Sequence, residues 1–149
     1  METIIETGSI RHLDKLAEIE VQCFDKEAFT KRQIAYLLTD YNSIALIAKT
    51  NNEIVGFIIA QIEIERDAIF GHIITINVSP TFRRSGIGTK LLNEVEEILK
   101  QKGINESHLE VREDNSAALR LYLKNGYLKI GKLEKYYGKK HGLYLKKTL

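Results

Sequence analysis

The stretch Ile73-Ile74-Thr75-Ile76-Asn77-Val78-Ser79-Pro80-Thr81-Phe82-Arg83-Arg84-Ser85-Gly86-Ile87-Gly88-Thr89 changes its period once, and the change decides the fold class. Nearly every position from Ile73 to Val78 is apolar, the pattern of a central strand covered on both faces. After Pro80 the apolar residues Ile87, Leu91, Leu92, Val95, Ile98 and Leu99 recur at three and four, which predicts one long helix, with Gly103 where a left-handed C-cap belongs. Between strand and helix, Gly86 and Gly88 let backbone N–H groups turn toward one point. The helix N-terminus adds unpaired donors and partial positive charge, and Arg83 and Arg84 stand beside it. A pyrophosphate is the natural occupant of such a loop. Taken alone, the segment also fits a plain glycine turn before an ordinary helix. Two commoner phosphate loops are excluded by position: a dinucleotide fingerprint needs Gly or Ala where Leu91 stands, and a Walker loop needs Gly-Lys-Ser/Thr where the chain reads Gly88-Thr89-Lys90.

Upstream, Thr3–Thr7 reads as a short strand, and Ser9 caps a helix carrying Leu13, Leu16, Ala17, Glu20 and Val21 near helical spacing. Thr30-Lys31-Arg32-Gln33 has capping-box spacing and opens a second short helix with Ile34, Leu37 and Leu38 on its apolar face. Cys23 to Phe29 is expected to be the loop between them. Ser43–Thr50, Ile54–Glu65 and Phe70–Ser79 form a three-strand meander joined at Asn51-Asn52-Glu53 and at Arg66-Asp67-Ala68. Downstream, Ser107–Glu113 is a strand, and Asn115 can cap a helix that Gly126 closes. Tyr127–Leu133 and Leu143–Leu145 read as a last strand pair around the loop Glu134–Gly142. The expected architecture is one α/β domain over 1–149, with about seven strands in a mixed, mostly antiparallel sheet and about four helices.

Composition narrows the function classes. The chain has 149 residues, 44% of them hydrophobic, and a single Cys and Pro, so a real core is expected without a disulfide framework or Cys-based zinc cluster. No apolar run approaches the roughly 18 residues of a membrane span, and an acidic start does not read as a signal peptide, so a soluble cytoplasmic protein is expected. Residues 1–79 carry 7 Lys/Arg against 12 Asp/Glu, and residues 80–149 carry 15 against 8. An anionic partner is therefore expected on the second part, unless its lysines are merely solvated. Long basic runs with interleaved aromatics are absent, which argues against nucleic acid.

Arg-x-x-Gly-x-Gly at 83–88 after a buried strand, followed by Leu109-Glu110-Val111-Arg112, Asn115, Ala118, Leu121-Tyr122 and Gly126-Tyr127, resembles the GNAT family of acyl-CoA-dependent N-acetyltransferases. Within it the sequence is most similar to the protein N-terminal acetyltransferases of the RimI/Ard type. The resemblance implies acetyl-CoA as cosubstrate, with no metal. It implies that the strand before the loop splays from its neighbour at a bulge, and that the backbone of Ile76, Asn77 and Val78 holds the pantetheine arm, with the Val78 N–H as oxyanion donor. Arg83, Arg84, Ser85, Gly86, Ile87, Gly88 and Thr89 match the pyrophosphate loop, and Asn115 matches an asparagine beside the cofactor arm. Tyr122 matches a tyrosine near the sulfur that protonates the leaving thiolate. Glu110 and His72 match positions that relay the amine proton through water. Glu27, with Phe29 close by, matches a substrate-site glutamate, although Glu27-Ala28-Phe29 stands where RimI-type relatives carry Pro-Trp. Tyr136 and Tyr137 match a pair in the last hairpin loop that holds the substrate backbone.

Plainer readings stand beside these. Asn115 also serves as a helix cap, Tyr122 as a core residue, Glu110 as a solvent-facing strand residue and His72 as a structural histidine. His12, His108, His141 and Cys23 carry no expected role.

The chemistry favours an α-amine. Its unperturbed pKa of about 7.7–8.0 leaves roughly a tenth neutral at pH 7, whereas lysine near 10.4 leaves below about one in a thousand. A carboxylate or imidazole acting through water then suffices without a covalent intermediate. The expected reaction is acetyl transfer to the free α-amine of a protein or peptide, with nascent chains at the ribosome among the partners and neither nucleic acid nor membrane. A small-molecule amine, a protein lysine, or a low-turnover acyl-CoA-binding subunit are the alternatives.

Overall fold

Seven strands form a single sheet in the order β1-β2-β3-β4-β5-β7-β6. The strands are β1 (Thr3–Thr7), β2 (Ser43–Thr50), β3 (Glu53–Glu65), β4 (Ala68–Val78), β5 (Glu106–Arg112), β6 (Leu128–Tyr137) and β7 (Lys140–Thr148), and the helices are α1 (Leu13–Phe24), α2 (Lys31–Thr39), α3 (Ile87–Gln101) and α4 (Ser116–Lys124). This computed structural model describes residues 2–137 and 140–149, excluding the side chains of Lys135 and Tyr137. The predicted mixed α/β class and element order hold. Every strand pair is antiparallel except β4–β5, which is parallel because α3 carries the chain back across the sheet.

The sheet divides the core in two. One face packs Ile58, Ala60, Ile73, Leu109, Val111, Leu143 and Leu145 under α3 and α4, with Leu91, Leu92, Val95 and Tyr122 supplied by the helices. The opposite face packs Ile47, Phe57 and Ile59 under Leu16 and Ile19 of α1 and Ile34 and Leu37 of α2. Burying these side chains, at about 25 cal/mol per Å² of apolar surface, drives assembly of both layers.

Local chemistry sets the element ends. Thr30 Oγ1 accepts from the Gln33 N–H at 3.1 Å while Gln33 Oε1 accepts from the Thr30 N–H at 2.8 Å, the capping box read from the sequence. Asn51 and Asn52 both have positive φ, 53° and 64°, as a two-residue primed hairpin turn requires. Three boundaries differ from expectation. The chain from Ser9 first makes a 3-10 turn, Ile10–His12, before α1 begins at Leu13. Cys23 lies in the last turn of α1 rather than in a loop, and Asp25–Glu27 is a second 3-10 turn. Strands β6 and β7 run much further than expected, because pairing resumes at Tyr137 opposite Lys140 after a register break between Leu133 and Tyr137. Tyr136 and Tyr137 therefore end a strand instead of lying in a loop.

Two irregularities shape the centre of the sheet. Register between β3 and β4 shifts between Ile59 and Ala60, which pair with Thr75 and Ile73, so Ile74 is an extra residue on β4. The β4–β5 ladder pairs only Gly71 with Ser107 and His72 with His108. Beyond His72 the two strands part.

Candidate active site

The backbone of β4 faces the parting. Ser79 N donates to Val55 O at 2.8 Å, so antiparallel alternation makes Gly56–Val78 and Ile58–Ile76 the non-hydrogen-bonded pairs. The amides of Ile76 and Val78 are thereby directed away from β3, toward the side from which β5 has separated. The Val78 carbonyl takes Arg83 Nε at 3.2 Å and Cys23 Sγ at 3.5 Å. Arg83 thus spends one donor on the strand. Burial raises the Cys23 thiol pKa, against the pull of Arg83.

The loop that follows has the backbone an anion requires. Gly86 sits at φ +83° before α3, Arg84 also has a positive φ of 65°, and no protein atom lies within 4 Å of where a Cβ on Gly86 would stand. The first hydrogen bond of α3 runs from Lys90 N to Gly86 O at 3.1 Å, leaving the N–H groups of Ile87, Gly88 and Thr89 ahead of it. Ser85 Oγ donates to the Phe82 carbonyl and closes the turn. At Gly88 a Cβ would come within 3.1 Å of Leu121 Cδ2, so this glycine also admits α4 close to the start of α3. These residues fit a pyrophosphate.

Asn115 and Tyr122 belong to α4. The Asn115 side chain accepts from Ala118 N at 3.2 Å as a helix cap. Tyr122 is buried in the α3/α4 core with its ring edge-on to Tyr127, centroids 5.9 Å apart. Both plainer readings therefore describe real contacts of these side chains.

On the opposite face, His72 bridges two carboxylates. Its Nε2 lies 2.7 Å from Glu110 Oε1 and its Nδ1 2.8 Å from Glu63 Oε2. Burial works to lower the imidazole pKa, but the hydrogen bonds and charges of Glu110 and then Glu63 outweigh it and push it up to about 9. At neutral pH His72 is an imidazolium holding both carboxylates.

This triad lines a cleft of ≈ 330 Å³ together with Phe70, His108 and Tyr136. Tyr144 also faces it, directly across the β5–β7 ladder from Glu110. Burial and the nearby Glu110 raise the pKa of both tyrosines, which stay protonated.

Sequence reasoning missed part of this cleft. His108 stacks on Phe70 with centroids 4.0 Å apart, bonds Glu106 at 3.1 Å and bonds the Tyr144 hydroxyl. The signal was the alternation of β5, where Glu106, His108, Glu110 and Arg112 occupy one face. Glu63, opposite Phe70 on β3, carried no comparable mark.

The structure does not bring Glu27 into this cleft. Glu27 Oε1 accepts from Arg112 Nη1 at 2.5 Å and lines a separate cleft of ≈ 340 Å³ with Phe24, Asp25, Lys26 and Arg112. Phe29 packs on the core beneath α1 and α2. The Tyr137 side chain lies outside the described residues. Among the described residues no group of His, Cys, Asp and Glu forms a metal site, and no helix is long and apolar enough to cross a membrane.

Comparison with known proteins agrees with this architecture. An N-alpha-acetyltransferase of Sulfurisphaera tokodaii is 33% identical over 117 residues, covering 72% of this chain and 70% of the relative. A [ribosomal protein bS18]-alanine N-acetyltransferase of Haemophilus influenzae is 38% identical over 92 residues, covering 62% of this chain and 60% of the relative. Arabidopsis thaliana NAA60, solved in complex with acetyl-CoA, shares the fold, with a TM-score of 0.87 at 17% identity over 99% of this chain and 100% of that one. The model of the acetyltransferase (GNAT) family matches residues 13–127, most of the chain. By that match and the sheet that parts after His72, the chain belongs to the GNAT acetyltransferase family.

Proposed function

We propose that this protein transfers an acetyl group from acetyl-CoA to the free α-amine of protein or peptide N-termini, by direct attack in a ternary complex. The observation that carries the reading is the Glu63–His72–Glu110 triad, set at the point where β4 and β5 part and walled by Tyr136. The Sulfurisphaera relative named N-alpha-acetyltransferase, and the Haemophilus relative named for an alanine of a ribosomal protein, support the choice of amine. Nascent chains at the ribosome are one source of such termini.

In this reading the pyrophosphate lies on the amides of residues 84–89 and the pantetheine arm follows the backbone of Ile76 to Val78 into the parting. The Val78 N–H polarises the thioester carbonyl as negative charge develops on its oxygen. The peptide enters from the cleft, past Tyr136. Because His72 is already protonated below about pH 9, it is not the group that accepts the amine proton. Glu110 takes it, directly or through a water, while the imidazolium orients the carboxylate. The amine nitrogen bonds to the carbonyl carbon, the C–S bond breaks, and the thiolate leaves as CoA, with Tyr122 as proton donor. Holding amine and thioester in one cleft supplies most of the remaining rate.

The test is CoA release from acetyl-CoA against short peptides differing in their first two residues, each paired with an Nα-blocked copy carrying a free lysine. Turnover confined to free α-amines is the expected result. Acetylation of the blocked peptides, or of small amines alone, overturns the reading.

A further inference from the structure

Glu20 is a carboxylate on α1 with 1% exposure, and its three hydrogen-bond partners are neutral. Oε1 accepts from Thr75 Oγ1 at 2.7 Å and from Asn77 Nδ2 at 3.1 Å, and Oε2 accepts from the main-chain N–H of Phe29 at 3.1 Å. Burying a carboxylate without a cation is costly, and an apolar side chain would sit among Leu16 and Ile19 more cheaply. Its contribution is therefore in what it joins. The Asn77 amide shows how strongly the carboxylate organises its surroundings. Nδ2 is spent on both Glu20 and Thr75 Oγ1, while Asn77 Oδ1 is buried with no partner among the described residues.

The junction ties β4 to loop 25–29. Thr75 and Asn77 alternate along β4 with Ile76 and Val78, whose amides face the parting, so the same few residues carry the proposed thioester strand and the anchor beneath it. Phe29 lies between the 3-10 turn Asp25–Glu27 and the Thr30 cap of α2, in the segment that the family resemblance, through Glu27 and Phe29, implies on the peptide side. One side chain holds loop 25–29 to β4.

We infer that Glu20 is a positioning residue that sets loop 25–29 against β4 and thereby the place of the incoming amine relative to the thioester. The inference rests on the proposed function for its catalytic consequence, though the docking of the loop is testable without it. In Glu20→Gln one oxygen still accepts from Thr75 and Asn77, but the new amide meets the Phe29 N–H donor to donor. Losing a hydrogen bond to a charged acceptor predicts about a tenfold rise in peptide KM, with kcat and the acetyl-CoA Kd each within about threefold. Hydrogen exchange at the Phe29 amide accelerates by about tenfold as well.

Thr75→Val moves both readouts in the same direction, and Thr75→Ser, which keeps the hydroxyl, restores them. Ile19→Val, in the same core but with no part in the junction, lowers Tm without changing peptide KM. A soluble Glu20→Gln protein with unchanged Phe29 exchange and unchanged peptide KM overturns the inference, as does an equal KM rise in Ile19→Val. If Glu20→Gln fails to fold, the Thr75 pair decides by the same readouts. If no peptide reacts with any variant, the functional reading fails while Phe29 exchange still tests the docking.

Discussion

Glu27 and Arg112 are 85 residues apart in sequence, and Glu27 Oε1 accepts from Arg112 Nη1 at 2.5 Å, joining the turn after α1 to the end of β5. Arg112 also grips Asp114, with Nε to Oδ1 at 2.9 Å and Nη2 to Oδ2 at 2.8 Å, a two-point contact that holds the guanidinium plane toward Glu27. The hydrogen bonds that Arg112 donates to Asp114 and then to Glu27 raise its pKa further above its already high value.

The pair is part-exposed, so Glu27→Gln is expected to cost less than about 1 kcal/mol in stability. Its larger effect is on the loop: peptide KM rises several-fold while acetyl-CoA binding is unchanged. Isothermal titration and steady-state kinetics separate the two, and a loss of acetyl-CoA affinity would contradict the substrate-side role that the family resemblance implies for Glu27.

Glu110→Gln is expected to lower kcat by about a hundredfold or more, the range for removing a general base, while the protein still binds acetyl-CoA. The amide keeps an oxygen toward His72, so the cleft is preserved. A kcat within threefold of the parent, across pH, would remove Glu110 from the role of proton acceptor.

The pKa of His72 predicts a pH dependence of stability. It is pushed up to about 9 in the folded chain from an ordinary value of 6.5, so the native state holds the proton more tightly than the unfolded one. The stabilisation is complete below about pH 6.5 and is lost as pH rises through about 9. Melting temperatures recorded across that window should fall in the parent and fall less in His72→Gln. Parallel curves would show that the triad does not bind its proton as described.

At Gly86, φ +83° is a conformation that an L side chain adopts at a cost of about 1–2 kcal/mol. Because an added Cβ meets no protein atom, Gly86→Ala strains only the backbone that presents the amides. Acetyl-CoA affinity is expected to fall by about tenfold, with a modest loss of Tm. Calorimetric titration with CoA measures it, and unchanged affinity would move the pyrophosphate off this loop.

Much of the site was legible because strands and helix starts are local. The alternation Glu106-Ser107-His108-Leu109-Glu110-Val111-Arg112 already separates a polar face from an apolar one, and the loop at 83–89 announces itself by its glycines. Partners across the sheet were not legible. That Glu63 meets His72 follows from the register of β3 on β4, and that Arg112 meets Glu27 follows from how α1 lies on the sheet. The run Glu134–Gly142 looked like a loop because it is polar and contains Gly138 and Gly142. Pairing along β7 made strand of its ends, since ladder bonds are made by backbone groups whatever the side chains. Glu20 read as one more position on a helix, and nothing nearby in sequence revealed that its carboxylate is buried.

The extra residue Ile74 behaves like a single-base insertion in a reading frame. On its C-terminal side Thr75 and Asn77 point at α1 and Ile76 and Val78 offer their amides to the parting, and on its N-terminal side His72 shares the α1 face with Thr75 and Asn77 despite its odd spacing from them. Without a bulge, strict alternation of the same residues would put His72 and Thr75, three apart, on opposite faces, turning the imidazole into the α3 core while Ile73 took its place between Glu63 and Glu110. The proposed proton relay and the proposed thioester strand share β4 in matching phase because the bulge at Ile74 absorbs the odd residue between them.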